Sequence, residues 1–256
     1  MSGLNWVQRK KRLDDMLKSG KGFRRVLLKL SGEVLAGRVS HGIDPAICRQ
    51  VAGEIAEVRR SRVEIGIVIG GGNFMRGATA EGIDRTTADA MGMLATVMNS
   101  MALMNFIEEA GCRCKVLTAV TIEGVGERYA PHLAREYLAA DYVVIIAGGT
   151  GNPYFTTDTA AALRCAEIKA DILLKATKVD GIYDSDPMKN PRALKYDKIS
   201  HAEALQKKLR IMDTTAFSFC LENNIPIMVF KLLEKGNLLK SVKGQKTGSV
   251  VTTGGR

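Results

Sequence analysis

The stretch that most constrains this chain is residues 142–162. Tyr142-Val-Val-Ile-Ile146 is an apolar run of strand length, and it breaks directly into Ala147-Gly-Gly-Thr-Gly151. The chain continues as Asn152-Pro-Tyr-Phe-Thr-Thr-Asp158 and enters a helix-like run through Ala160-Ala-Ala162. A buried strand, a glycine turn and a helix opening on hydroxyls and a carboxylate make a place to hold an anion. The first-turn N–H groups and the positive end of the helix dipole point at whatever sits there. Gly148, Gly149 and Gly151 let backbone approach closely, and Thr150, Thr156 and Thr157 add hydroxyl donors. An ordinary βα turn capped by Thr157 or Asp158 would carry the same letters. The rest of the chain has to choose between the two.

The same alternation recurs along the sequence. Strands are predicted over 24–30, 64–69, 115–120, 171–176 and 227–230, with a last one ending near Thr252. Helices are predicted over 45–60 after an Asp44-Pro45 start, over 86–110 closed by Gly111, over 131–140, and from the opening stretch to about Lys169. Ser200-His-Ala-Glu203 reads as a capping box, and Asp213 as the cap of a helix reaching Asn223. Alternating strands and helices predict an α/β fold, a mostly parallel sheet with helices on both faces. The 179–191 segment, rich in Asp, Pro and Asn, reads as a loop.

Charge narrows the function classes. The net charge of +10 suggests a nucleic-acid binder until it is divided. Residues 1–25 hold eight Lys/Arg against two Asp, and residues 231–256 hold six against one Glu. The 205 residues between them carry 23 basic and 24 acidic side chains, so no dedicated nucleic-acid groove is expected through the body. Residues 1–22 are expected to be a basic extension, loosely docked or disordered. The apolar region 91–107 is broken by Asn99, Ser100 and Asn105, so no membrane span is expected, and the charged N-terminus lacks a secretory h-region. Five scattered cysteines fit no disulfide framework and point to buried thiols in a reducing cytoplasm. The methionines of 91–104 read as core or subunit interface.

In an open α/β sheet, ligands collect beyond the C-terminal ends of the strands. Four strands deliver polar or glycine-rich sequence there: Lys29-Leu-Ser-Gly32, Gly70-Gly-Gly-Asn73 with Arg76, Gly148 to Asp158, and Lys175-Ala-Thr-Lys178. Two apolar strands ending in lysine are unusual, because lysine is rarely buried without a partner. Together these suggest phosphoryl transfer, which needs cations around the moving group and backbone donors around the phosphates. A phosphate acceptor is already ionised, so no Ser-His or Cys-His pair is required. The Walker pattern Gly-x-x-x-x-Gly-Lys-Ser/Thr does not occur. Asp158 reads as a carboxylate orienting Lys29 or Lys175, or as a cap. Asp213 carries the same two readings, and Asp89 could accept from a sugar hydroxyl.

Five motifs carry a resemblance: Lys29-Leu-Ser-Gly-Glu33, Ile69-Gly-Gly-Gly-Asn73, Ala88-Asp-x-Met-Gly-Met-Leu-Ala-Thr96, Thr150 to Asp158, and Leu174-Lys-Ala-Thr-Lys-Val-Asp-Gly181. In this order, from about Arg24 to Thr252, the chain resembles the bacterial uridylate kinase family, a branch of the amino acid kinase superfamily. That resemblance implies a three-layer α/β/α sandwich and the reaction of Mg-ATP with UMP to give ADP and UDP. Lys29, Leu30, Ser31, Gly32, Gly72 and Arg76 would hold the ATP phosphates, and Thr177, Tyr183 and Asp186 the adenosine. Gly71, Asp89, Thr150, Gly151, Asn152, Pro153, Tyr154, Phe155, Thr156 and Thr157 would bind UMP. Lys29 and Arg76 would stabilise charge, supported by Asp158, Lys175 and Asp213, with Mg²⁺ entering on ATP and no protein metal site. The resemblance further implies a cytoplasmic homohexamer activated by GTP and inhibited by UTP, with Gly37, Arg38, Val39, Ser40, His41 and Gly42 linked to GTP. A soft boundary near Ala170, with phosphate-friendly glycines before it and an Asp-rich loop after it, divides an expected single kinase domain, 23–256, into an acceptor part of about 23–170 and an ATP part of about 171–256. This sequence departs from the family in its N-terminal extension, in a short loop between Arg76 and Asp89, and in Ala90.

Overall fold

The structure, a computed structural model, describes residues 22–39, 41–75 and 82–252. Arg76, Ser40 and residues 1–21 of the predicted extension lie outside the described residues. The strands are β1 (Arg25–Leu30), β2 (Glu64–Ile69), β3 (Cys114–Thr118), β4 (Glu127–Arg128), β5 (Val143–Ala147), β6 (Ile172–Thr177), β7 (Ile182–Tyr183), β8 (Lys195–Tyr196), β9 (Lys198–Ser200), β10 (Ile227–Lys231) and β11 (Gly248–Thr252). The helices are α1 (Gly32–Leu35), α2 (Pro45–Arg60), α3 (Arg85–Glu109), α4 (Pro131–Ala139), α5 (Thr157–Glu167), α6 (His201–Gln206), α7 (Thr214–Glu222) and α8 (Asn237–Val242). Nine strands form one sheet in the order β4-β3-β5-β2-β1-β6-β10-β11-β9, parallel except where β10 meets β11. β7 and β8 make a separate antiparallel pair.

Period-2 alternation sends the strand side chains to two cores, because successive residues of a strand face opposite sides. Val26, Leu28, Ile67, Ile145, Leu174 and Phe230 pack with α2, α3 and α8 on one face. Leu27, Val68, Val144, Leu173 and Val229 pack with α4, α5 and α7 on the other. The strands buried on both faces are the near-continuous Val/Ile/Leu runs expected of a parallel sheet.

Helix starts follow their caps. Asp44 accepts from the N–H groups of Ala46 and Ile47 at 2.9 and 3.4 Å, with Pro45 at the first position. Asp84 caps α3 in the same way, and Gly111 follows its end with φ +84°. For α5 the cap is Thr156, one or two residues ahead of the expected Thr157 or Asp158. Its hydroxyl accepts from the N–H groups of Asp158 and Thr159 at 3.0 and 3.2 Å, so Asp158 is released to point elsewhere. The 179–191 segment, expected as loop, contains β7, whose partner β8 lies outside that segment. Ser200 accepts from the Glu203 N–H at 3.1 Å, as the capping box requires.

The helix α3 is long and apolar enough to cross a membrane by length and composition alone. One side of it is packed under the sheet through Leu103 and Ile107, while Met91, Leu94, Met98 and Met101 are exposed on the other.

Candidate active site

The parallel register of β1 and β6 sets Lys29 directly beside Lys175. Both occupy the same-parity positions as Leu27 and Leu173, so both ammonium groups rise on the face that carries α5. There Asp158, in the first turn of α5, meets both. Its Oδ1 lies 2.8 Å from Lys29 Nζ, and its Oδ2 accepts from Lys175 Nζ at 2.7 Å. Lys175 also donates to the Ile211 carbonyl at 2.6 Å. All three side chains are largely buried.

This cluster keeps one surplus positive charge. Burial pushes the Asp158 carboxyl up, but the two ammonium groups outweigh it and hold the group below its ordinary value. Burial depresses the Lys175 ammonium, Asp158 opposes that, and Lys29 adds to it. A buried ion cluster is seldom a net gain in stability, since desolvation cancels most of the attraction. What it supplies is an oriented, largely buried cation lining a cleft.

That cleft, about 480 Å³, is bounded by the strand ends and by the openings of α3 and α5. Lys29, Ser31, Gly32, Gly71, Gly72, Asp89, Thr150, Asn152, Phe155, Thr156, Thr157, Asp158 and Asp213 line it. Asp213 caps α7 through the Ala216 N–H at 3.0 Å and accepts from the hydroxyls of Thr156 at 2.5 Å and Thr159 at 3.3 Å. It therefore ties the starts of two helices together beside the charge cluster. Asp89 accepts from Arg85 at 2.7 Å and from the Tyr154 N–H at 2.8 Å. Tyr154 sits at φ +70°, an uncommon conformation for a non-glycine residue.

Other expected site residues are placed differently. Leu30 is fully buried under the cleft floor, and Lys175 reaches the cleft only through Asp158. Gly151 and Pro153 belong to the 148–157 segment but do not line the cleft. Thr177, the last residue of β6, and Tyr183 and Asp186, which follow that strand, are not among the residues that line the cleft. Thr177 donates to Val179 O at 2.5 Å, Tyr183 to Asp180 at 2.6 Å, and Asp186 accepts from the Met188 N–H at 3.0 Å. Gly37, Arg38 and Val39 are exposed. Gly42 is hooked to the glycine loop, donating to Asn73 O at 3.1 Å and accepting from Asn73 Nδ2 at 2.7 Å, while His41 stands edge-on to Phe74. Arg76 and Ser40 are not among the described residues.

Sequence reasoning passed over Arg85 and gave no role to Thr96 within its motif. Both line the cleft, and the Thr96 hydroxyl accepts from the Gly148 N–H at 2.8 Å. The signal for Arg85 was its i,i+4 spacing to Asp89 on one helix face.

The amino acid kinase family pattern matches residues 24–231. The chain belongs to the amino acid kinase family. Among solved structures, this amino acid kinase is similar to a UMP kinase from Bacillus anthracis, at 33% identity and TM-score 0.88 over 91% of this chain and 98% of that one. A UMP kinase from Ureaplasma parvum is 35% identical, with TM-score 0.84 over 90% and 99% of the two chains. A uridylate kinase from Archaeoglobus fulgidus is 29% identical, with TM-score 0.68 over 88% and 99%. The three-layer arrangement of the present amino acid kinase, with its mostly parallel central sheet, is the fold these enzymes share.

Proposed function

We propose that this amino acid kinase is a UMP kinase. A phosphate oxygen of UMP attacks the γ-phosphorus of ATP, the bond from γ-phosphorus to the bridging oxygen breaks, and ADP leaves with that electron pair as UDP forms. The observation that carries this reading is the Lys29–Asp158–Lys175 cluster at the head of a cleft whose far wall is the 150–157 segment. The names of the similar enzymes agree with it. Lys29, with Arg76, is the charge stabiliser, and Ser31, Gly32 and Gly72 take the ATP phosphates. Lys175 and Asp213 act by positioning, through Asp158 and Thr156 respectively. Asp89 and the 150–157 segment hold the acceptor, while Thr177, Tyr183 and Asp186 accommodate the adenosine.

Mg²⁺ belongs to this reading as part of the ATP substrate. The Asp158 carboxylate is taken by two ammonium groups and that of Asp213 by two hydroxyls and a helix N-terminus, so neither offers itself as a ready ligand. The cation would therefore be carried by the phosphates.

The same reading covers the finer expectations. The acceptor part is about 23–170 and the ATP part about 171–256. UDP formation belongs to pyrimidine nucleotide biosynthesis in the cytoplasm. The exposed apolar stripe of α3 supports a homo-oligomer, a hexamer by family precedent. GTP activation through 37–42 is supported by the hook between Gly42 and Asn73, and UTP is the expected inhibitor.

Turnover is the test. ADP release should require UMP, with CMP, glutamate and aspartate giving little, and added GTP should raise it. Lys29→Ala should retain the fold and lose turnover by about 10²–10³-fold, the range for removing one transition-state donor. Near wild-type turnover in that variant would remove Lys29 from the chemistry.

A further inference from the structure

The turn that begins the acceptor wall is held from behind by a residue that does not line the cleft. Arg164, on the inner side of α5, has a side chain only 6% exposed. Its Nη1 donates to Glu167 Oε2 at 2.7 Å and its Nη2 to the Gly149 carbonyl at 3.1 Å. The guanidinium lies 4.2 Å from the centroid of the Tyr129 ring. Tyr129 in turn donates to Glu167 Oε2 at 2.6 Å, and Arg135 on α4 donates to the Glu167 carbonyl at 2.8 Å. Three elements converge on this pair, and the contact leading from it toward the cleft goes to Gly149.

The arrangement is costly if packing is its sole purpose. Arg164 Nε is buried without a partner, and the guanidinium has one carboxylate to balance its desolvation. An apolar side chain of similar volume would pack there at lower cost. It could not bind the Gly149 carbonyl. That turn needs binding, because Gly148, Gly149 and Gly151 all have positive φ, +76°, +60° and +84°, in residues with the widest conformational choice when free. On its other side the turn is held by the Thr96 hydroxyl on the Gly148 N–H.

We propose that Arg164 is a positioning residue for the acceptor: it fixes the Gly149 carbonyl and so places Thr150 and the following wall at the cleft. The identity of the acceptor rests on the UMP kinase reading; the anchor itself does not. Glu167 and Tyr129 brace the guanidinium, so their loss should produce a weaker form of the same defect.

The experiment pairs steady-state kinetics with amide hydrogen exchange on Arg164→Gln, Arg164→Lys and Tyr129→Phe. Arg164→Gln should raise KM for UMP about tenfold, the order of one lost buried charged hydrogen bond, while KM for ATP stays within about twofold. Amides of 148–155 should exchange faster in the unliganded variant. Arg164→Lys, able to reach one partner at a time, should fall between, and Tyr129→Phe should show a smaller change of the same kind. An unchanged KM for UMP, or a parallel rise of both KM values with lowered melting temperature, would overturn the proposal. Where Arg164→Gln does not fold, Tyr129→Phe decides by the same criteria. If the wild type does not use UMP, the functional reading falls, and the exchange rates of 148–155 alone decide the anchor.

Discussion

Two glycine turns meet at one sheet edge, and they need glycine for different reasons. In the Gly70–Gly72 turn the requirement is room, and it falls on Gly71. A Cβ on Gly71 would stand 2.6 Å from the Gly92 carbonyl oxygen and 2.8 Å from Ala95 Cβ. One on the facing Gly32 would meet Asn73 Oδ1 and the Gly70 carbonyl oxygen within 2.4 Å. In the second turn Gly149 has space, since a Cβ there would find nothing nearer than Met93 Cγ at 3.9 Å, although one on Gly148 would meet Val120 N at 3.0 Å; what Gly148, Gly149 and Gly151 share is a left-handed backbone. The first turn is locked by the reciprocal amides of Asn73 and Asn99, at 2.9 and 2.7 Å, with Asn99 also donating to the Gly70 carbonyl at 2.8 Å. The second is tethered at two points, Thr96 and Arg164. Gly71 is thus required by crowding and Gly149 by conformation, and both turns are held by side-chain hydrogen bonds.

The charge cluster sits at the same sheet edge as the two turns and should show the largest effect. Asp158→Ala leaves Lys29 and Lys175 side by side without the carboxylate they share and should cost about 3–5 kcal/mol, measured by urea unfolding. A loss below 1 kcal/mol would mean that water already compensates the lysines. The glycines come next. Gly71→Ala must displace backbone and should cost about 2–3 kcal/mol, whereas Gly149→Ala should cost about 1 kcal/mol from conformation alone. Equal losses in the two variants would erase the distinction between crowding and conformation.

The smallest effect lies away from both turns. His201 is fully buried against Phe217, and neither ring nitrogen has an aligned partner. Burial pushes its pKa below 6.5, against the pull of the Thr252 and Ile225 backbone. The unfolded chain therefore takes up this proton at a higher pH than the folded protein does. Stability is lost as pH falls below 6.5, at no more than about 1.4 kcal/mol per unit for one proton. In His201→Leu the melting temperature should be flatter between pH 6.5 and 5, with the neutral-pH contrast between the two glycine variants unchanged.

Much of this was legible in the sequence because the signals are local. Apolar runs of period two, Asp44 before Pro45, Gly111 after a long helix, and glycines at strand ends each act within a few residues. The α/β layering followed from their alternation. Asp158 and Lys175 were paired as candidates because a carboxylate in a first helical turn and a lysine at a strand end face the same edge. The cap of α5 falls one or two residues before the expected Thr157 or Asp158 because Thr156, Thr157 and Asp158 are all good caps, and only backbone geometry selects among them.

Sequence by itself determined the elements, the strand edge at which ligands would gather, and the residue types able to handle phosphate. Tertiary structure alone decided that Lys29 and Lys175, 146 positions apart, stand in register and share one carboxylate. It also decided that Arg164 and Thr96 grip the second glycine turn and that an asparagine pair locks the first. Strand pairing and helix docking join residues far apart in the chain. No local periodicity records those contacts, because the burial that drives them depends on apolar area and not on which distant residue supplies it.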